Sequence, residues 1–530
     1  MDTNLSQLLT RAASTAPDKV ALIDTGPADQ ASGDQPADTV LTWAELDRLV
    51  DAVSLGVAAH GVRGGQRVLI ALGNRLEFAA AYLGVLRAGA VAVPVNPRSA
   101  VGEFQRMAAD SGARLGITDA HTIGAVREAI ATAPPEFSAI PTVVVIDAPA
   151  AAGEIAWSDF VNHQGKAVPL PAEPESLAVL LYTSGTSGRP RAAMLTHRAL
   201  LANIEQVAAV EPPAFTEDDV SVALLPLFHV YGLNAVLGQF LRHGHTLVVT
   251  PGFDPEATLA LIERYQVSVL PVAPPVLAHW RSRSDLRERL SSVRLMMSGS
   301  APLSAEAMSD FVARTGIVVH QGYGLTEAAP VVTSTLCSQT WQPGSVGSPL
   351  PGVEIELRDD DGSVEGEDPG EIYVRGANIF SGYWPDGSDG PDADGYFATG
   401  DVGIIDADGN LFLVDRLKEL IIVNGFNVYP SEVEEVAAEV PGVAAVAIIG
   451  VDDEHTGEAV TAYVVPTGDL PAKDLARLVD EHCAERLARF KRPTQVNIVD
   501  ELPYGITGKV QKGRLRATAR REDTPLVEGP

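Results

Sequence analysis

The sequence predicts an α/β protein with three parts: a large N-terminal domain of parallel, helix-flanked sheets, a β-rich subdomain, and a small α+β C-terminal domain. Strand and helix patterns alternate from about residue 68 to 145, and again from about 220 to 324. Short strands with tight turns follow Pro343, and a new mixed unit begins at Lys418. The predicted domains are therefore 1–417, with its β-rich part at about 343–417, and 418–530.

The first alternating stretch contains β-branched strand segments separated by amphipathic helix segments. In chain order they are "RVLIAL", "RLEFAAAYLGVLRAG", "AVAVPVN", "VGEFQRMAADSG" and "RLGITD". Strands and helices in turn predict parallel sheets with helices packed on their faces.

The second stretch repeats this pattern. "SVALLP" precedes a predicted helix through Leu233, and "HTLVVT", "VSVLPVAP", "VRLMMSGSAP" and "IVVHQGYG" are the later strands. Several of them end in Gly, Ser or Pro. Because ligands of parallel sheets bind at the carboxyl ends of the strands, the site is expected there.

The last two parts have their own patterns. "GVEIELRDDDG", "GEIYVRG" and "YFATGDVGIIDADGNLFLVDR" predict a barrel or a small sheet. From Lys418 onward, "IIVNGFNVYP" predicts a hairpin and "SEVEEVAAEV" a helix. "VAAVAIIG" and "VTAYVV" predict strands, and a long helix follows. About 110 residues are enough for a separate small domain.

Composition limits the function. A net charge of −30 argues against nucleic acid as a partner, because binding phosphates needs a basic surface. Cys337 and Cys483 are too few for a disulfide framework or a metal cluster, which favours a reducing cytoplasm. The N-terminus lacks the pattern of a secretory signal, and Arg87 interrupts the most apolar segment. No integral membrane segment is expected, while peripheral membrane contact and a homodimer stay open.

The segment "YTSGTSGRPR" has the residues of a phosphate-binding loop. Glycines let backbone N–H groups converge, hydroxyls add donors, and Arg191 adds a positive charge. The residues involved are Thr183, Ser184, Gly185, Thr186, Ser187 and Gly188. Taken alone, the segment is more typical of a mobile surface loop than of a phosphate site.

Further motifs supply the rest of a nucleotide site. In "QGYGLTE", Tyr323 offers a flat face for a base, Thr326 a donor, and Glu327 a carboxylate for Mg²⁺. Asp401, in "YFATGD", could accept both ribose hydroxyls, and Lys509 lies in a Gly-flanked loop. Each has a plainer interpretation: core filler for the tyrosine, a solvated acid, a turn residue, and a surface lysine.

Together and in this order, the motifs resemble the adenylate-forming superfamily of acyl-CoA synthetases, nonribosomal peptide adenylation domains and luciferases. The resemblance runs from "APDKVALID" and "LTWAELDRLV" to Lys509. "PLFHVYGL" and "DRLKELIIVNGFNVYPSEVEE" are most similar to bacterial medium- or long-chain fatty acyl-CoA ligases. The resemblance implies an adenylation domain, a mobile C-terminal domain, and ATP, Mg²⁺, CoA and a small carboxylic acid as ligands.

The resemblance also implies residue roles. The loop from Thr183 to Gly188, with Arg191, would hold the β- and γ-phosphates of ATP. Adenine would lie between two segments, Ser300, Ala301 and Pro302 on one side and Gly322, Tyr323 and Gly324 on the other. Thr326 would contact the α-phosphate, Glu327 would hold Mg²⁺, and Asp401 and Arg416 would bind the ribose. His229 would border the acyl carboxylate, Lys509 would be the catalytic lysine, Lys418 the hinge, and Gly425 would lie beside the pantetheine tunnel.

Two alternatives remain at this stage. An acyl-AMP ligase would pass the acyl group to a carrier-protein thiol instead of CoA. A degenerate nucleotide-binding relative is suggested by Arg191 and Ala192, which stand where the family usually has lysine and glycine. A fatty acid is the expected substrate, with short, aromatic and dicarboxylic acids left open.

Overall fold

The computed structural model describes most of the 530-residue chain. The residues described are 2–26, 38–133, 140–167, 173, 175–183, 190–301, 303, 305–340, 342–358, 369–416, 419–423, 426–453, 456–468, 470–505 and 509–522, with backbone alone at 415, 416, 427, 457, 517 and 520–522.

The chain divides into two compact units. The first contains residues 1–354 and 374–397, and the second contains 355–373 and 398–530. Residues 398–417 thus fall in the second unit, and the domain boundary between residues 417 and 418 stays a prediction.

Among the described residues, sixteen strands precede residue 350. They are β1 (Val20–Asp24), β2 (Thr39–Thr42), β3 (Arg67–Ala71), β4 (Val91–Pro94), β5 (Leu115–Asp119), β6 (Val143–Ile146), β7 (Ile155–Ala156), β8 (Leu177–Thr183), β9 (Arg191–Thr196), β10 (Val220–Ala223), β11 (Thr246–Val249), β12 (Val269–Val272), β13 (Leu295–Ser298), β14 (Val319–Gly324), β15 (Val331–Ser334) and β16 (Ser348–Pro349).

The helices of this region alternate with those strands. They are α1 (Gln7–Thr15), α2 (Trp43–Ala59), α3 (Leu76–Arg87), α4 (Val101–Ser111), α5 (Ile123–Ala131), α6 (Trp157–Phe160), α7 (His197–Ala208), a π-helix (Tyr231–Val236), α8 (Leu237–His243), α9 (Pro255–Tyr265), α10 (Pro274–Trp280), α11 (Leu286–Arg289), α12 (Ala305–Thr315) and a 3-10 turn (Thr326–Ala328).

The first sheet has seven strands in the order β7-β6-β5-β3-β4-β8-β9. Its pairs are parallel except for β8 with β9, which turn back on each other through the predicted phosphate-binding segment. Phe104 and Met107 of α4 and Val126 of α5 pack on the sheet residues Leu69 and Val93. This burial of helix faces on a parallel sheet confirms the predicted architecture.

The second sheet has nine strands in the order β16-β15-β14-β13-β12-β10-β11-β1-β2. The strands from β14 to β1 are parallel. The connection from β10 leads to β11 on one side, whereas β12 leads to β13 on the other. Such a change of direction opens a crevice at the carboxyl ends of β10 and β12, where parallel sheets bind ligands.

Asn74 joins the two sheets. It lies between β3 and α3, and its side-chain amide donates to the carbonyl oxygens of Ala223 and Leu225, both at 2.9 Å. Its side-chain oxygen accepts from the Leu227 N–H at 2.8 Å. Three bonds from one buried side chain therefore fix the segment that leaves β10 toward His229.

A four-stranded sheet follows in the order β17-β18-β19-β20, formed by β17 (Val353–Arg358), β18 (Gly370–Gly376), β19 (Phe397–Ile405) and β20 (Leu411–Arg416). Of the two predicted forms, barrel and small sheet, the described strands form the small sheet.

The C-terminal part contains β21 (Ile421–Val423), β22 (Phe426–Val428), α13 (Pro430–Ala438), β23 (Val443–Asp453), β24 (Gly457–Pro466), α14 (Ala472–Arg486), a 3-10 turn (Arg489–Lys491), β25 (Gln495–Ile498) and α15 (Lys512–Glu522). Strands β21 and β22 pair antiparallel, as the predicted hairpin requires. The five strands form one sheet in the order β22-β21-β24-β23, with β25 paired to β24. Val433 of α13 and Leu475 and Val479 of α14 pack on this sheet. Within the described ranges, no helix is both long and apolar enough to cross a bilayer.

Candidate active site

A short turn, Thr326–Ala328, follows β14 at the carboxyl edge of the nine-stranded sheet. The strand reaches it through two glycines that face the backbone of β15 and the segment before it. A Cβ atom at Gly324 would lie 2.3 Å from the Pro330 carbonyl oxygen, and one at Gly322 would lie 2.8 Å from the Thr333 oxygen. Both positions therefore require glycine, which is the physical reason for the "QGYG" pattern.

Three buried asparagines hold the chain that follows the turn. Asn378, Asn234 and Asn203 donate their amides to carbonyl oxygens of residues 328–331, at 2.8, 2.6 and 2.7 Å. Each is at most 1% exposed, so these bonds are shielded from water. They hold Ala329 at a φ of 63°, in the left-handed region that a non-glycine residue rarely adopts. The turn thus has a fixed backbone.

Glu327, on this turn, is only 9% exposed. Its Oε1 accepts the Tyr383 hydroxyl at 2.5 Å, and its backbone carbonyl accepts the Phe380 N–H at 2.9 Å. Burial, together with the charge of Glu327, raises the pKa of Tyr383, so the hydroxyl keeps its proton and remains a donor. The interpretation of Glu327 as a solvated loop acid is wrong.

Glu327 fits a magnesium ion that arrives with a polyphosphate. Among the described residues, no hydrogen bond engages its second oxygen, Oε2. No group of three or more His, Cys, Asp or Glu side chains that could hold a metal occurs in the described ranges. Mg²⁺ is usually held by one or two carboxylates together with substrate phosphates, so one carboxylate on a rigid turn suits it.

The segment after β13 lies on the same edge. Ser300 has a φ of 73°, a second left-handed non-glycine position. The Ser298 hydroxyl is buried and has no hydrogen-bond partner within the described part of the chain. A strained backbone and an unsatisfied buried hydroxyl are features of ligand-binding sites. Ala301 follows directly, and Pro302 is outside the described residues.

The segment after β10 forms a helix that begins as a π-helix at Tyr231, three residues earlier in the chain than Asn234. The sequence predicts a helix through Leu233; in the structure it continues to His243 as α8. A Cβ atom at Gly232 would lie 2.3 Å from the Pro226 carbonyl oxygen, so the π-helix packs tightly on the segment that connects it to β10. π-helices of this kind occur frequently at functional sites.

His229 and Tyr231 lie at this helix start. Nδ1 of His229 accepts the Tyr231 backbone N–H at 3.3 Å, which leaves Nε2 as the ring nitrogen that carries a proton. The Tyr231 ring lies against Gly299, where a Cβ atom would be 2.8 Å from Cε1. Glycine at position 299 therefore leaves room for the Tyr231 ring.

The predicted phosphate-binding segment is described at its two ends. Thr183 and Arg191 are direct partners across β8 and β9. The Arg191 guanidinium lies 3.7 Å above the centre of the Tyr383 ring and forms an ion pair with Asp389 at 2.7 Å. Residues 184–188, the predicted hydroxyl and glycine donors, are outside the described residues.

In the second unit, Asp401 is buried and is the direct cross-strand partner of Arg416. The Asp401 N–H donates to Thr399 Oγ1 at 3.1 Å. The two predicted ribose ligands are therefore neighbours on adjacent strands. The Arg416 side chain is outside what the structure describes.

Lys509 is exposed at the base of a loop in the same unit. The Gly505 N–H donates to the Lys509 carbonyl at 2.7 Å, and Tyr504 forms a β-bridge with Val510. The backbone that carries the predicted catalytic lysine is therefore closed at its base. Lys418 and Gly425 lie outside the described residues.

The structure thus brings Glu327 and Arg191 to one aromatic residue, Tyr383, that the sequence did not single out. Asn203 and Asn378 were also missed. Lone tyrosines and asparagines have no spacing that distinguishes a long-range contact, so only the fold reveals them.

A carboxylate fixed at the carboxyl edge of a parallel sheet, and connected through Tyr383 to Arg191, is an arrangement expected of a nucleotide-using α/β enzyme. Comparison with known proteins gives the class and the family. The chain matches the AMP-binding enzyme family over residues 9–384 and the AMP-binding enzyme C-terminal domain over residues 432–509. It belongs to this family and, within it, to the adenylate-forming acid:CoA ligases.

Relatives cover nearly the whole chain. A 4-coumarate-CoA ligase 3 from Oryza sativa subsp. japonica is 33% identical over 90% of this chain and 87% of its own. A feruloyl-CoA synthase from Amycolatopsis sp. is 36% identical over 90% and 94%. The structure of ATP-bound MatB from Rhodopseudomonas palustris superposes with a TM-score of 0.87 at 31% identity, covering 99% of this chain and 100% of that one. The fatty acyl-CoA synthetase subclass is not confirmed.

Proposed function

We propose that the protein joins an aromatic carboxylic acid to CoA through an acyl-adenylate. In the first step, an acid oxygen attacks the α-phosphorus of ATP, and the bond to the β-phosphate breaks to release pyrophosphate. In the second, the CoA sulfur attacks the acyl carbon, loses its proton to solvent, and AMP leaves. AMP is a good leaving group, so no covalent enzyme intermediate is needed.

The observation that carries this proposal is the buried carboxylate of Glu327 on a fixed turn after β14. A carboxylate that attacks a phosphate brings two anions together, so catalysis depends on positioning and charge neutralisation. Mg²⁺, when bound at Glu327, would supply part of that positive charge. Thr326 would hold the α-phosphate, and residues 183–188 with Arg191 would close over the departing pyrophosphate.

The nucleoside would be held by the remaining predicted ligands. In the proposal, Tyr323 stacks on adenine opposite Ser300, Ala301 and Pro302, while Asp401 and Arg416 bind the ribose hydroxyls. The left-handed Ser300 and the unsatisfied Ser298 hydroxyl support a ligand at this edge.

The acid would enter beside the start of the π-helix. The Nε2–H of His229 can donate to a carboxylate, and the Tyr231 ring against Gly299 provides a flat wall. Flat aromatic walls suit planar substrates. The names of the rice and Amycolatopsis relatives refer to 4-coumarate and ferulate, which are aromatic acids. Both points favour an aromatic acid over the fatty acid that the motifs predicted.

Lys509 would complete the first step by placing an ammonium on the reacting carboxylate and phosphate. Rotation at Lys418 would then withdraw it, and Gly425 would leave room for the pantetheine chain. Lys509→Ala should therefore lower acyl-adenylate formation by about 10²-fold or more. Conversion of preformed acyl-adenylate to acyl-CoA should continue, and an equal loss in both half-reactions would contradict this role.

An acid screen tests the proposal as a whole. Pyrophosphate release with ATP is measured for hydroxycinnamic, benzoic, short dicarboxylic and C4 to C16 fatty acids, with and without CoA, and products are identified by mass spectrometry. Highest kcat/KM for an aromatic acid, with acyl-CoA as product, is expected. A preference for long fatty acids would reject the aromatic pocket. Acyl-adenylate without acyl-CoA would favour the carrier-protein alternative, and no pyrophosphate from any acid would favour the degenerate relative.

A further inference from the structure

Tyr383 connects the Glu327 carboxylate to the positive charge of Arg191. Its hydroxyl donates to Glu327 Oε1 at 2.5 Å, and the Arg191 guanidinium lies 3.7 Å above its ring. Asp389 pairs with Arg191 at 2.7 Å. Four side chains thus form a row from a surface carboxylate, through a cation and a ring, to a buried carboxylate.

The position of Tyr383 is set by its backbone. Its N–H donates to the Ser388 carbonyl at 3.0 Å, it forms a β-bridge with Ala193 of β9, and the next residue, Trp384, donates its N–H to Ala192 at 2.9 Å. The Tyr383 ring also meets Phe380 edge to face, with centroids 5.0 Å apart. These contacts fix the position of Tyr383, and its hydroxyl therefore meets Glu327 in a fixed orientation.

The strand that holds the backbone of Tyr383 is β9, which follows the predicted phosphate-binding segment. Arg191 and Ala192 are the first residues of β9, so the ring packs against the end of this segment and the hydroxyl reaches the turn after β14. One side chain therefore joins two parts of the site that are separated by more than 130 residues of sequence.

The hydrogen bond from Tyr383 restricts the orientation of the Glu327 carboxylate. A carboxylate that accepts a hydroxyl at Oε1 has its rotation restricted, and Oε2 is then the oxygen presented to a cation. A guanidinium above the ring draws electron density from it and makes the hydroxyl a stronger donor. Hydrogen bonds to charged groups are about twice as strong as neutral ones.

We propose that Tyr383 is a positioning residue that orients Glu327 for its magnesium ion, and that Arg191 strengthens this contact through the ring. The inference rests on the proposed role of Glu327 as the magnesium ligand. It also accounts for arginine in place of the usual lysine, because the planar guanidinium stacks on Tyr383, which an ammonium does less well.

The test measures metal-dependent nucleotide binding, without turnover. The Kd of α,β-methylene-ATP is determined by calorimetry in EDTA and in saturating Mg²⁺, and the ratio of the two values is the metal gain. Tyr383→Phe keeps the ring under Arg191 and removes only the hydroxyl. It should lower the metal gain about tenfold, the effect of losing a residue that orients a metal ligand, while the Kd in EDTA changes less than about twofold.

The chain provides a matched control in Tyr396. Arg375 lies 4.4 Å above its ring, and its hydroxyl is 3.5 Å from Glu354, so the same three residue types meet, although here the arginine also pairs directly with the glutamate. Glu354 is 57% exposed and is not part of the proposed site. Tyr396→Phe should leave the metal gain unchanged.

The outcomes separate the two proposals. If the parent protein shows no metal gain, the proposed role of Glu327 fails. If the parent shows it and Tyr383→Phe retains it, or weakens binding equally in EDTA, Tyr383 has only a structural role and the inference is overturned. Should Tyr383→Phe not fold by its urea midpoint, Arg191→Met is the second variant: it keeps the hydroxyl and should lower the metal gain about two- to fivefold. An unchanged gain there would refute the part assigned to Arg191.

Discussion

The two edges of the nine-stranded sheet use polar residues in opposite ways. At the amino edge, buried Asp219 accepts from Arg294 and from Ser268, and Ser221 bonds His245, so side chains there bind one another. At the carboxyl edge, asparagines bind backbone carbonyls and hold the turn that presents Glu327. Polar burial therefore pairs side chains at one edge, whereas at the other it fixes the backbone that carries the proposed metal ligand, Glu327.

The largest effect is expected from Arg294→Ala at the amino edge. Asp219 is 3% exposed and would lose its main partner, whereas Arg294 is 42% exposed. The change should lower the free energy of unfolding by about 3 kcal/mol, the low end for a broken buried pair because Arg294 is partly solvated. Urea unfolding measures the loss. The rate per folded molecule should not change, and a parallel loss of kcat would contradict the division between the edges.

At the carboxyl edge, Glu327→Gln should have the reverse effect. The amide oxygen can still accept the Tyr383 hydroxyl, so the urea midpoint should change little, but the negative charge for Mg²⁺ is lost. Adenylation, followed by ATP–pyrophosphate exchange, should slow by about 10²-fold. A stable variant with near-parent exchange would show that Glu327 does not hold the metal.

The amino edge should also make stability sensitive to acid. Burial lowers the pKa of His243 to about 4 and that of His245 to about 3. The neighbouring charges are those of Lys19, Glu205, Asp219, Arg242 and Arg294. At pH 7.5 both histidines are almost entirely neutral, whether the chain is folded or unfolded. As the pH falls toward 4, only the unfolded chain takes up the protons, so stability is lost, by about 1 kcal/mol for each histidine at pH 5.5.

Urea unfolding at pH 7.5 and 5.5 measures this loss. His245→Asn should reduce the difference between the two pH values, because asparagine does not titrate. His121→Gln, at an exposed position, is the control and should leave the difference intact. Equal differences in all three proteins would mean that His245 does not control acid sensitivity.

The smallest effect is expected from Arg191→Lys. Lysine keeps the positive charge beside Asp389 and Tyr383, so adenylation should stay within about threefold of the parent rate. ATP–pyrophosphate exchange with the chosen acid measures it. A fall to background would show that the guanidinium itself is essential and would rank Arg191 with Glu327.

Local pattern was enough to predict the sheets and the placement of Thr326 and Glu327 at the end of β14. Alternating strands and helices repeat over short distances, and the glycines of "QGYG" mark where backbones approach closely. Tyr383 could not be predicted in this way. It lies 56 residues after Glu327, and its contact depends on how β9 and the turn meet in space.

The acid substrate was hard to predict for a similar reason. An apolar run from Val230 to Phe240 is typical of a fatty acyl pocket, but its buried residues also fill the core. The contact between Tyr231 and Gly299 joins the start of the π-helix to the residue after β13, and the periodicity within either segment does not predict it.

Asn74 also bears on recombination between relatives. Its three bonds reach from the first sheet to residues 223–227, at the end of β10 in the second, so these positions connect the two sheets. A chimera that takes residues 38–133 from one ligase and residues 220–236 from another inherits the two halves of this connection from different parents. In such a hybrid the segment that carries His229 would shift, unless the asparagine and the backbone segment that it binds come from the same parent.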